Sequence, residues 1–182
     1  DRYHRIASDF VKAFVRFCNE HDVHYFHAGM NEPNLLRRTD WAELAVEPLR
    51  IIYPAMKSVS ESNKLMAGNL SAGVDDIVQR FYDAGARDYF DILDLHAYSN
   101  HPRTGVSIEQ VVATSRVMAR NGDAHKEIFL GEGWGPGRSV PGIPRESPDV
   151  PPSEAEIEAM RDFVYNGYRN LTHPKPGFNP EH

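Results

Sequence analysis

Two glutamates, Glu32 and Glu132, each end a short segment with the composition of a β-strand. In folds that alternate parallel strands with helices, the carboxyl ends of the strands meet at one edge of the sheet. Two carboxyl groups held rigidly there are suited to cleaving a glycosidic bond. One protonates the leaving oxygen, and the other attacks the anomeric carbon or activates water. The pair therefore indicates carboxylate chemistry on a sugar.

Helix-like and strand-like patterns alternate along the whole chain and would position these glutamates. Apolar spacing predicts helices over about 5–20, 41–60, 75–84 and 107–120 and from 153, with strands over 24–30, 64–68, 90–98 and 127–130. Pro48 and Pro54 predict a kink or a break in the second helix, and residues 69–71 predict a turn. A loop is expected over 135–152. This alternation predicts an α/β fold with about four parallel strands, in either a doubly wound sheet or part of a barrel.

Composition limits the class of protein and its partners. The 182 residues suffice for one domain, and the net charge of −6 argues against a nucleic-acid partner. No apolar run approaches the roughly 20 residues of a membrane span. The lone Cys18 excludes an intrachain disulfide, and no glycine-rich nucleotide motif follows a strand. His21, His24 and His27 straddle a predicted helix-to-strand boundary, so we expect neither a metal site nor a cofactor there.

Three strand-end motifs resemble those of clan A glycoside hydrolases, whose fold is the (β/α)8 barrel. The sequence HAGMNEPN at 27–34 resembles their Asn-Glu-Pro signature at the end of strand four. LDLHAY at 93–98 and FLGEGW at 129–134 resemble the ends of strands six and seven, and 41–57 looks like the fourth helix of family 39 and family 5 members. The resemblance implies that residues 1–182 are a single catalytic-domain fragment, a partial TIM barrel of strands four to seven, with an irregular tail at 172–182.

The same resemblance implies two catalytic residues and two supporting ones. Glu32 would be the general acid/base and Glu132 the nucleophile of a retaining enzyme. Asn31 would hydrogen-bond the 2-hydroxyl of the sugar, and the Tyr98 hydroxyl would hold the carboxylate of Glu132. Retention requires the two carboxyl groups to lie about 5–5.5 Å apart, whereas roughly 9 Å would indicate inversion.

Two further residues would complete the sugar site, although each candidate has a plainer alternative. His96 would line the pocket and Trp134 would stack on a sugar face. Alternatively, His96 and Tyr98 are satisfied polar residues of the core, Trp134 fills the core, and Glu32 and Glu132 are loop and turn residues.

The leading hypothesis is hydrolysis of a β-linked oligo- or polysaccharide by double displacement. A carbohydrate-binding pseudo-enzyme and a transglycosylase are the alternatives. Four strands cannot close a barrel that has eight. We therefore expect the remaining strands to come from a longer or a paired chain, and the 182 residues alone to be inactive. Location is open: secretion or a periplasmic site suits polysaccharide substrates, and a cytoplasmic site is equally compatible with the sequence.

Overall fold

Four helices and four strands alternate in the computed structural model, which describes residues 2–71, 75–98 and 108–132 together with Glu154 and Glu158. The elements are α1 (Arg2–Glu20), β1 (Tyr25–His27), α2 (Trp41–Lys57), β2 (Lys64–Ser71), α3 (Asp75–Asp83), β3 (Ile92–His96), α4 (Ile108–Arg120) and β4 (Glu127–Glu132). Two 3-10 turns, Pro33–Leu35 and Ala86–Tyr89, lie between them. The predicted helix from 153, the loop 135–152 and the tail 172–182 lie outside the described ranges.

All four strands pair in parallel, and their order in the sheet is their order in the chain. A doubly wound sheet reverses its strand order at a switch point, where chains bind nucleotides. The uninterrupted order β1-β2-β3-β4 is instead that of a barrel. The sheet curls into a half-barrel, which confirms the predicted partial (β/α)8 fold.

The outer face of the sheet carries the apolar core. In β3, Leu93 and Leu95 are fully buried against the helices, while the alternate residues Asp94 and His96 face the inside of the half-barrel. Helix α2 supplies much of the opposing surface through Trp41, Ala45, Val46, Leu49 and Met56. In β3 the inner face therefore carries the polar side chains of Asp94 and His96.

Helix α2 is one unbroken helix of 17 residues, so of the two expected outcomes at Pro48 and Pro54, a kink or a break, the break is wrong. Each proline removes one backbone donor from the helical ladder. The helix nevertheless buries an apolar face along its length, and tertiary packing outweighs local preference.

Strand β2 extends three residues beyond its predicted end, because the expected turn at 69–71 is a bulge within the strand. Gly68 and Asn69 have φ angles of 111° and 49°, and the pairing with β3 shifts register between Ala67 and Leu70. Bulges let a strand re-aim its side chains without ending its pairing. Here the bulge lies beside the segment that carries Glu32.

A network around Asp91 ties the amino ends of the strands together. Its carboxylate accepts hydrogen bonds from Lys57 Nζ (2.9 Å), from the backbone N–H of Leu65 (2.9 Å) and from the Tyr53 hydroxyl (3.3 Å). The Lys57 and Asp91 side chains are only 12% and 13% exposed. Removing one partner of an ion pair that is so little exposed to solvent lowers the stability of the fold strongly, because the other charge stays buried without compensation.

Helix α1 presents a wide apolar face, much of which is exposed in the described structure. It contributes Val15 to the core, whereas Tyr3, Ile6, Phe10, Phe14 and Phe17 are exposed. Apolar patches of this kind are typical of surfaces that bind another element. Among the described helices, none combines the length and the hydropathy needed to cross a membrane.

We expect Asp91→Ala to lower the free energy of unfolding by about 3 kcal/mol, because it leaves the Lys57 ammonium buried without its partner. Urea denaturation followed by circular dichroism measures the change. Asp40→Ala is the matched control, because it removes an equally well-formed pair with Arg38 that is exposed to solvent. Similar losses in both variants would contradict the role given to burial.

The 182-residue chain on its own should associate through the exposed face of α1. Phe10→Glu should shift the mass measured by analytical ultracentrifugation toward that of a monomer, because a charge on this face disfavours its burial. Arg16→Glu is the control, because it changes charge on an exposed part of α1 outside the apolar face. A wild-type chain that is monomeric at all concentrations would contradict this expectation.

Candidate active site

Glu32 is held at the carboxyl end of β1 by its own backbone and by β2. Its φ of 46° is left-handed, an uncommon conformation for a residue other than glycine. Its N–H donates to the carbonyl of Asn69 (3.0 Å), and Pro33 directly after it is buried and starts a 3-10 turn. Strained backbone of this kind persists only where the surroundings over-determine it. The carboxyl group of Glu32 is thereby aimed by the fold.

Asn34 fixes the same segment to β2. Its side-chain amide donates to the carbonyl of Ser71 (2.8 Å) and its Oδ1 accepts from the N–H of Ser71 (3.0 Å). The side-chain amide thus makes the two hydrogen bonds to the backbone of Ser71 that a neighbouring strand would otherwise make at the end of β2. The second asparagine of the Asn-Glu-Pro-Asn motif therefore has a positioning role.

Glu132 is the last residue of β4 and pairs with His96 at the end of β3. The hydroxyl of Tyr98 donates to Glu132 Oε2 at 2.7 Å. That contact is the one that the resemblance implied. The Glu132 side chain is 41% exposed, so one side of it stays open to a substrate.

His96 lies between the two glutamates. Its Nδ1 is 3.2 Å from Glu32 Oε1 and 3.6 Å from Glu132 Oε2, and its side chain is only 2% exposed. One oxygen of each carboxyl group and His96 Nδ1 all lie within 4.8 Å of one another. This distance joins the nearest atoms of the groups, so the predicted separation of about 5–5.5 Å between the two carboxyl groups of a retaining enzyme stays a prediction.

The same three side chains are the group of the described structure that could hold a metal ion. Two carboxylate oxygens and an imidazole nitrogen are ligands that divalent transition metals accept. The three histidines that the sequence spaces by three do not cluster: His27 binds Asp94, His24 faces Asn63, and His21 packs on Phe17.

The other two predicted site residues are less well defined by the structure. Asn31 is exposed and directly precedes Glu32 in the chain. Trp134 lies outside the described residues. The sugar contacts assigned to both stay predictions, as do the catalytic roles of Glu32 and Glu132.

Three residues near the glutamates were not predicted for the site, and for a fourth, Asn69, the sequence left both an approach to the site and a turn open. Asp94 and His27 form a contact of 2.6 Å on the inner face, across β2. The N–H of Gly131 donates to Asp94 Oδ1 (2.9 Å), and Asn69, which is buried, accepts the N–H of Glu32. The alternation in β3, which puts Asp94 and His96 on one face, was the signal that could have identified Asp94.

A cavity of about 730 Å³ opens at the opposite end of the sheet, lined by residues such as Lys64, Arg87, Asp91, Asp123 and Lys126. Its charges are largely paired with one another: Lys126 Nζ lies 2.9 Å from Asp123, and Lys64 Nζ lies 3.8 Å from Asp91. The amino ends of barrel strands generally serve stability, and chemistry lies at the carboxyl ends. The candidate site is therefore the end that carries Glu32 and Glu132, and not this cavity.

The hydrogen bond to Glu132, followed by partial burial, raises the pKa of Tyr98 to about 12. Its hydroxyl therefore stays a donor to Glu132 at neutral pH. Because the folded-state pKa is raised above the usual value of about 10, the stability from this bond is fully present below about pH 10. It is lost as the pH rises through the folded-state value.

Glu132→Gln should return the pKa of Tyr98 toward about 10, because a neutral amide no longer disfavours the phenolate. Carbon-13 NMR of labelled tyrosine, followed against pH, measures it. Tyr53 is the internal control: burial, with Asp91 beside it, raises its pKa to about 12, and Glu132 is not among the causes. A Tyr98 that titrates near pH 10 in the wild type would contradict the contact.

Comparisons with known proteins support the fold. No family model matches the sequence, and no curated protein matches it. A GH39 β-xylosidase from Caulobacter crescentus has a similar structure, with 15% identity and a TM-score of 0.51 over 68% of this chain and 28% of that one. A monomeric β-xylosidase from Caulobacter crescentus CB15 matches over 69% of this chain and 29% of its own, with 18% identity and a TM-score of 0.41. The chain thus spans less than a third of the length of either xylosidase, and the first likeness supports the fold alone, a partial (β/α)8 barrel.

Proposed function

We propose that this chain is the part of a retaining glycoside hydrolase that carries both catalytic glutamates. The observation that carries the proposal is the approach of Glu32 and Glu132, with one oxygen of each within 4.8 Å of the other at the carboxyl ends of parallel strands. The three strand-end motifs and the β-xylosidase fold of a structural neighbour support the same class of reaction. The substrate class is a β-linked glycoside, and a β-xyloside is the first one to assay.

The reaction would proceed in two displacements. In the first, Glu132 attacks the anomeric carbon while Glu32 gives its proton to the leaving oxygen, so that a glycosyl ester forms on Glu132. In the second, Glu32 removes a proton from water, which attacks the same carbon and releases Glu132. Two inversions give net retention, and no cofactor is needed for either step.

The surrounding side chains have defined tasks in this scheme. The Tyr98 hydroxyl orients the Glu132 carboxylate for attack through its 2.7 Å hydrogen bond. The exposed amide of Asn31 would bind the 2-hydroxyl of the sugar, and Trp134 would offer an aromatic face for the ring. The remaining strands of the barrel would supply the other wall of the site.

Two alternatives use the same site. A transglycosylase would pass the sugar from Glu132 to a second sugar instead of water, and product analysis at high acceptor concentration identifies it. A pseudo-enzyme would bind the sugar without cleaving it. Two glutamates in reacting distance favour catalysis over binding alone.

The roles of the two glutamates can be separated in the protein that contains the complete barrel. Glu132→Ala should lower kcat/KM on an aryl β-glycoside by at least about 10³-fold, because it removes the nucleophile. Added azide should then give a glycosyl azide of inverted configuration. Glu32→Ala should spare substrates with good leaving groups, which need little protonation, and azide should give the retained product.

Glu127→Ala is the matched control, because it removes an exposed glutamate from the other end of the same strand. It should leave the kinetics unchanged. If Glu132→Ala instead gave the retained glycosyl azide and Glu32→Ala the inverted one, the assigned roles of the two glutamates would be reversed. Full activity in both variants would reject the pair, and sugar binding without turnover in the wild type would favour the pseudo-enzyme.

A further inference from the structure

Asp94 is a buried carboxylate that His96 separates from the two glutamates, and the two-step scheme gives it no task. Its side chain is 1% exposed, on the inner face of β3. A carboxylate is costly to bury unless each oxygen is paired. Both oxygens of Asp94 are engaged: Oδ1 accepts the N–H of Gly131 (2.9 Å), and Oδ2 accepts from His27 Nε2 (2.6 Å).

The free side of Asp94 Oδ2 faces His96. The Nε2 of His96 lies 3.7 Å from it, which is an ion-pair distance longer than a hydrogen bond. The other ring nitrogen, Nδ1, lies 3.2 Å from Glu32. Asp94, His96 and Glu32 therefore form a line from the buried inner face to the proposed general acid.

An ionised carboxylate only accepts hydrogen bonds, so Asp94 favours the form of His96 that carries its hydrogen on Nε2. The Nδ1 of that form has a free lone pair. This lone pair faces Glu32, which must be a carboxylic acid when it protonates a leaving group. The hydrogen bond available between them runs from the Glu32 O–H to His96 Nδ1.

The carboxylate of Glu132 is the group that competes with Asp94 for the ring hydrogen, but its Oε2 already accepts the hydroxyl of Tyr98 at 2.7 Å. The groups that face it are Asp94 from its own strand, Glu32 after β1 and Glu132 from β4 at 3.6 Å, with His27 and Tyr98 one contact further away. A hydrogen on Nδ1 alone would leave the Nε2 lone pair facing the Asp94 carboxylate, which is electrostatically unfavourable.

We propose that Asp94 is a positioning residue: it keeps the hydrogen of His96 on Nε2, so that Nδ1 accepts the O–H of Glu32 and holds the acid proton there until the leaving oxygen replaces Nδ1 as its acceptor. The inference deepens the proposed function and rests on it. The proton moves from Glu32 to the leaving oxygen in the first displacement and returns to Glu32 from water in the second. Asp94 and His96 gain and lose no proton overall.

The test is Asp94→Asn in the protein that contains the complete barrel. An asparagine amide fits the same space and can donate to Nε2, which moves the ring hydrogen to Nδ1 and removes the acceptor for Glu32. The value of kcat/KM should fall by about 10²-fold for glycosides with poor leaving groups, which depend on acid catalysis. It should change by less than about 3-fold for dinitrophenyl glycosides, which need little protonation.

Asp91→Asn is the matched control, because it makes the same substitution on the amino side of the same strand, in a network that supports the fold. It should lower stability without changing the ratio between poor and good leaving groups. If Asp94→Asn lowers kcat/KM equally for both classes of substrate, Asp94 has a structural role only and the inference is overturned, while the proposed function stands.

Nitrogen-15 NMR of labelled histidine gives a readout that does not depend on activity. The neutral His96 ring of the wild type should carry its hydrogen on Nε2, and Asp94→Asn should move it to Nδ1. A wild-type neutral ring with its hydrogen on Nδ1 would overturn the inference even if the variant fails to fold. A wild type with the expected tautomer but no glycosidase activity would instead refute the proposed function and leave the tautomer assignment in place.

Discussion

Parallel pairing of the strands in chain order is the constraint on which both the fold and the site depend. Because β1, β2, β3 and β4 all point the same way, the residues that leave them emerge at one edge of the sheet. Glu32 and Glu132 are 100 residues apart in the sequence, yet β2 and β3 are all that separates their strands. Reversing any one strand would move its terminal group to the opposite end of the half-barrel.

The two ends of the sheet carry different kinds of polar contact. At the amino ends, Lys57 and Asp91 form a closed network whose members satisfy one another. At the carboxyl ends, the polar groups are only partly satisfied, since Glu132 stays partly exposed and Asn69 Oδ1 has no hydrogen-bond partner among the described residues. Strained backbone at Glu32 and Asn69 occurs at the same end. The strained backbone and the unsatisfied polar groups lie at one end of the sheet, and the well-paired charges at the other end help to stabilise the fold that holds them.

The sequence allowed the class of fold to be predicted, because alternating periodicities report parallel sheets with helical crossovers. It also identified Glu32, His96, Tyr98 and Glu132, which the fold brings together. The continuity of α2 through its prolines could not be predicted, since it depends on packing against residues far away in the chain. The bulge at Asn69 was equally hidden, because its local composition is that of a turn.

The role of Asp94 depended on contacts that no local pattern contains. The alternation in β3 places Asp94 on the same face as His96, but its task stays unknown until its partners on β1 and β4 are known. His27 reaches it across an intervening strand, and Gly131 meets it through a backbone N–H. Such partners become visible only when the strand order is fixed.

The close contact between Gly131 and Asp94 links two positions that are 37 residues apart. A Cβ at position 131 would lie 2.8 Å from Asp94 Oδ2, so even an alanine there would force the carboxylate out of its position. The reverse does not hold, because a smaller residue at 94 would leave space that a side chain at 131 could fill. Substitutions at these two positions therefore have a fixed order: a smaller residue has to replace Asp94 before a larger residue can replace Gly131. By the same contact, an aspartate can return at position 94 only after a glycine has returned at position 131.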